Sequence, residues 1–163
     1  MKFLDGINKF LNKVLLILGG LAVLALMLLA TGNVGLRIFH LPFRGTYEIV
    51  SFLGAITIAF GLGYTQKRRD NIVVDILTER FPPGLQTAIA WFADVCIMVF
   101  FGIVAWQLYV WAGKLQEGRE VSETLKVIYY PFVYATAVGF AVLSLTSLVQ
   151  VLKRLLHEKE EEA

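Results

Sequence analysis

The chain has 163 residues, 57% of them hydrophobic and only 17% charged, with a formal net charge of +2. Such a composition excludes an ordinary soluble domain, and the length excludes several domains, which leaves a single membrane-embedded unit over residues 1–163.

Runs without Asp, Glu, Lys or Arg cover residues 14–36, 49–66 and 127–152, and residues 81–113 carry only Asp94. A helix needs about 20 mainly apolar residues to cross a hydrocarbon core about 30 Å thick. The fold class expected is therefore an all-α integral membrane protein with four transmembrane helices, over about 14–38, 47–66, 84–113 and 130–152. A β-barrel would also satisfy its backbone in lipid, but its strands alternate apolar with polar residues, whereas the stretch from Ala22 to Leu29 is apolar on every side.

Lys2, Lys9 and Lys13 precede the first span, as they would a secretory signal. The apolar core is longer than a signal core, so an uncleaved signal anchor is the expectation. Arg37 closes this span and Glu48 opens the next across a short connection, and the two are expected to form a structural ion pair near the outer surface. In the second span Ser51, Ala55, Ala59 and Gly63 recur every four residues beside a row of Gly54, Thr57 and Gly61. Small residues at that spacing let membrane helices approach closely, which places this helix centrally in the bundle.

Lys67, Arg68 and Arg69 end the second span. Beyond them, at 100° per residue, Ile72, Val73, Ile76, Leu77 and Phe81 share one side while Asp75, Thr78 and Glu79 share the other. Asp70 or Asn71 can cap the start, and Pro82 and Pro83 end the pattern. The spacing predicts a short amphipathic interfacial helix over about 71–81, between the second and third transmembrane helices, with Ile72, Asp75, Ile76 and Leu77 as contacts to a partner or the interface. An irregular polar loop is the alternative.

The third run is the longest and is expected to tilt or project from the bilayer. Asp94, about ten residues into it, reads as a snorkelling or partner-paired carboxylate, with a proton path as the alternative. Trp106, Tyr109 and Trp111 near its end, with Tyr129 and Tyr130 before the fourth span, suit an outer aromatic belt, and Pro131 suits the first turn of the fourth helix.

Ten of the 15 basic residues fall on the side of the two termini and five on the other, so the positive-inside rule makes both termini cytoplasmic. The same division leaves no nucleic-acid-binding stripe. Catalysis finds no support: His40 and His157 lie near opposite membrane faces, Cys96 stands alone and no phosphate-cradling Gly loop is present. Neither a metal nor a cofactor is expected.

The order of "GNVGLRIF" with Asn33 and Arg37, Glu48 opening the next span, "RRDNIVVDIL" with Asp75, then Pro82, and Gly139-Phe140 in the last helix resembles the small, DctQ-like membrane subunit of tripartite ATP-independent periplasmic (TRAP) transporters. The chain departs from that pattern at Asn71, where the family often has His, and at Ile128 and Ala137, where it often has proline. The resemblance implies an accessory subunit in the bacterial inner membrane. A periplasmic substrate-binding protein would deliver an organic acid, of the sialic acid or dicarboxylate class, to a large elevator-type subunit driven by sodium, and this chain would enlarge that subunit's scaffold. A self-sufficient four-helix multidrug exporter is the alternative, but the first span lacks the deep carboxylate expected of one.

Overall fold

The computed structural model describes residues 2–41, 43–68 and 81–161. Four long helices account for most of them: α1 (Lys2–Ile38), α2 (Thr46–Arg68), α3 (Pro83–Glu117) and α4 (Tyr130–Glu161). All four are long and apolar enough to cross a membrane. At about 1.5 Å per residue the 37 residues of α1 and the 35 of α3 extend well beyond a core about 30 Å thick, so both tilt or project from it. Of the predicted helix over 71–81 only Phe81 is described, in a bend; the rest, with Ile72, Asp75, Ile76 and Leu77, lies outside the described residues.

Helix ends follow local chemistry. α1 and α3 both close in Schellman turns, in which the sixth N–H returns to the first carbonyl of the motif. The pairs are Leu41 N to Leu36 O at 3.0 Å and Glu120 N to Leu115 O at 3.2 Å. The left-handed residue in each is not Gly but His40 (φ 58°) and Arg119 (φ 48°), a conformation that disfavours a side chain and therefore has to be held by its surroundings. α3 starts at Pro83, where a missing N–H costs no helical bond, and Gln86 Nε2 turns back to Phe81 O at 2.9 Å. Pro131 falls in the first turn of α4.

Packing runs in the order α1, α2, α4, α3, with α4 also touching α1. The core cluster of Leu15, Ala59, Phe60 and Val142 comes from α1, α2 and α4. Glycine decides how close these helices come. A Cβ on Gly139 would lie 2.8 Å from the Ala59 carbonyl carbon, oxygen and Cβ, so α4 rides directly on the backbone of α2. Dispersion between backbones in such contact is what holds membrane helices together when lipid supplies no hydrophobic difference.

The small-residue row in α2 is divided by this packing. Ala59 and Gly63 are buried against α4 and α1, whereas Ser51 is exposed and Ala55 lines an open cleft beside Phe132 and Thr136 of α4. The row therefore serves the inner contact over its second half only.

α3 leans on α4 through small and aromatic residues. Ala112 and Leu115 are buried, Phe101 meets Phe140 at 5.3 Å, and Ser144 donates across the interface to Met98 O at 2.8 Å. Of the expected aromatic belt, Trp106, Tyr109 and Trp111 are exposed. Tyr129 instead packs edge-on against Phe52 at 5.4 Å, and Tyr130 against Tyr134 at 6.2 Å.

Candidate functional site

Two polar constructions sit at opposite ends of the bundle. The first lies at the end carrying both termini and joins all four helices. Asn12 on α1 is buried, and its Nδ2 lies 2.7 Å from Asn8 Oδ1 and 2.9 Å from Thr146 Oγ1 on α4. Asn8 and Asn12 are one turn apart on the buried face of α1, so both amides enter the same seam.

One layer further toward the termini, Gln66 on α2 and Gln150 on α4 bind each other reciprocally. Gln66 Nε2 donates to Gln150 Oε1 at 2.9 Å, and Gln150 Nε2 donates to Gln66 O at 2.7 Å. The second Gln66 proton goes to Asp94 Oδ1 on α3 at 3.1 Å. Arg154 on α4 approaches the other oxygen of Asp94 at 3.3 Å as an ion pair without hydrogen-bond alignment. Asp94 is thus a buried, partner-paired carboxylate, one of the two readings its position allowed.

The second construction pins the loops at the end opposite the termini. Glu48 accepts hydrogen bonds from Thr124 N at 2.7 Å and Leu125 N at 3.0 Å, one on each carboxylate oxygen. Leu125 lies over Gly45, where any side chain would collide with it. Within the same loop Ser122 N donates to Val127 O at 2.8 Å, and Val127 N donates to Ser122 Oγ at 3.1 Å. Asn33 Oδ1 accepts from Phe43 N at 3.0 Å and so ties the end of α1 to the next connection.

The ion pair expected between Arg37 and Glu48 does not form. Among the described residues no ion pair joins them; Arg37 is exposed beside the Schellman turn, and Glu48 is turned toward the 118–129 loop. The physical reason is that two neighbouring backbone N–H groups match a carboxylate's two oxygens without ordering a long side chain. Replacing Glu48 with Gln should therefore speed hydrogen exchange at the Thr124 and Leu125 amides, while Arg37→Gln should leave both unchanged. Exchange measured by mass spectrometry distinguishes the two variants.

Between the two ends, the described residues show isolated hydroxyls and the exposed amide of Gln107 on α3 rather than a polar cluster. Thr136 donates to Phe132 O on its own helix at 2.9 Å, and Ser144 to Met98 O. Among the described residues, no group of three or more His, Cys, Asp or Glu could hold a metal ion. Cys96 is a free, exposed thiol.

Sequence reasoning missed Asn8, Asn12, Gln66 and Gln150. Their signal was present: four amides within or beside apolar runs, where an unpaired amide is costly.

Residues 26–157 match the family of tripartite ATP-independent periplasmic transporters, DctQ component. The chain belongs to this family. It is thus a DctQ-type small membrane subunit of a TRAP transporter, a multi-pass transporter component rather than a member of an enzyme family. No curated protein matches it. The match takes in both polar constructions except for Asn8 and Asn12 of α1.

Proposed function

We propose that this DctQ-type chain is an accessory subunit that carries no substrate itself and enlarges the fixed scaffold of a large elevator-type partner. That partner would use sodium to take up an organic acid, of the sialic acid or dicarboxylate class, delivered by a periplasmic binding protein. The carrying observation is where the polarity lies. Transporters place substrate and ions near mid-membrane on unwound helices, whereas here α1 to α4 run unbroken and the convergent polar groups lie at the two ends. A rigid, knitted bundle suits a scaffold.

The excess of basic residues on the side of the termini supports a cytoplasmic location for both, in the inner membrane. Large apolar side chains of α1 and α3 such as Leu28, Phe92 and Trp106 face outward, toward lipid or the larger subunit. The multidrug-exporter reading gains nothing from Asp94, which is engaged by Arg154 and Gln66.

Reconstitution tests this reading. Liposomes holding this chain alone should show no gradient-driven organic acid uptake, and uptake should appear only with the large subunit and the binding protein. Uptake by the chain alone would overturn it. For the 71–81 segment, Ile76→Asp should lower recovery of this chain on a tagged large subunit, while Thr78→Asp should not; equal recovery would remove that contact from the proposal.

A further inference from the structure

Lysines from three helices lie within two turns of the Asn12 layer at the end of the bundle that carries the termini. Lys153 on α4 meets Asp5 on α1 at 2.6 Å. Lys9 on α1 and Lys67 on α2 lie near enough to act electrostatically on the same carboxylate. Helical geometry accounts for this placement. Asn12 packs against Gly63 and Thr146, and one to two turns from that layer toward the termini bring Asp5, Lys9, Lys67 and Lys153 to a common level. Asp5 can neutralise only one of three ammonium groups.

Beyond Lys13, the membrane side of this cluster is apolar and open. At 100° per residue, Leu16 and Gly20 fall in the sector of α1 that carries Lys9 and Lys13. Leu16 is exposed, and nothing approaches within 4 Å of where a Gly20 side chain would be. A basic cluster at headgroup level above a shallow apolar rail fits an amphiphile whose polar end is an anion.

We propose that the α1/α2/α4 seam binds the phosphate of an anionic phospholipid through Lys9, Lys67 and Lys153, with an acyl chain lying along Leu16 and Gly20. Asp5 holds Lys153 at the seam while also opposing the ligand's charge. On the orientation proposed above, the site faces the cytoplasmic leaflet, where basic pockets between transmembrane helices recruit acidic head groups. The free energy of each lysine near such a surface corresponds to about a fivefold change in occupancy.

Native mass spectrometry of the full chain, exchanged into mixed micelles with phosphatidylglycerol or with phosphatidylcholine, reads this directly. Phosphatidylglycerol should be retained over phosphatidylcholine. Lys9→Gln, an exposed change that leaves the core intact, should lower retention about fivefold. The Lys9→Gln/Lys67→Gln/Lys153→Gln variant should remove most of the preference, leaving what Lys13 supplies, Asp5→Asn should raise retention, and Lys114→Gln at the opposite end should change nothing. Equal retention of the two lipids, or unchanged retention in Lys9→Gln and the triple variant, would overturn the site. Displacement of the lipid by inorganic phosphate alone would reassign it to a soluble phosphate and overturn the lipid assignment.

Discussion

Gly139→Ala should lose about 1–3 kcal/mol of stability, a large effect for one added methyl group. The new Cβ would stand 2.8 Å from the Ala59 carbonyl carbon and oxygen as well as from its side chain. Backbone atoms in a helix cannot rotate aside, so α4 must move away from α2. That movement also stretches the paired amides of Gln66 and Gln150, which bridge the same two helices at 2.7 and 2.9 Å. Gly54→Ala is the matched control, because nothing lies within 4 Å of its missing side chain. Thermal unfolding of the detergent-solubilised chain should separate the two variants clearly. Adding Ala59→Gly to Gly139→Ala should restore only part of the loss, since the backbone contacts of Ala59 remain. Equal melting of Gly139→Ala and wild type would show that the helices are further apart than described.

Arg154→Gln should cost about 3–5 kcal/mol, because it leaves Asp94 buried with only Gln66 as a direct partner. The side chains of the pair are 19% and 10% exposed, so water cannot replace the lost countercharge as it would at a surface. Removing the acid as well, in Arg154→Gln/Asp94→Asn, should be less harmful than Arg154→Gln alone, since the neutral amide still accepts from Gln66. A double-mutant cycle on the unfolding midpoint reads the coupling, and additive losses would mean that the two groups do not interact.

Charge-free runs of known length are a local property, and the requirement that every backbone group be satisfied in lipid turns such runs directly into helices. That is why the four helices and the family resemblance could be read from the chain without any knowledge of packing. Asp94 was legible in the same way, as an ionisable residue inside an apolar run, and so was its need for a partner. The identity of that partner was not. Arg154 is 60 residues away on another helix, and only the α3/α4 packing brings them together.

Glu48 shows the same limit from the other side. Its opposite charge and closeness in sequence to Arg37 made a pair plausible, but sequence proximity does not report where the 118–129 loop folds back. Two oriented N–H groups then compete better for the carboxylate than a flexible guanidinium. Likewise the period of four in α2 marked a face for close approach, yet only the crossing of α2 with α4 decided that Ala59 and Gly63 are used and that Ser51 and Ala55 are left out of the close contact. The sequence by itself determined helix number, length and the residues that had to be partnered, because these follow from solvation along one chain segment. Tertiary structure alone decided which partners they took, because that depends on helix order, crossing points and loop return, none of which is a property of any single segment.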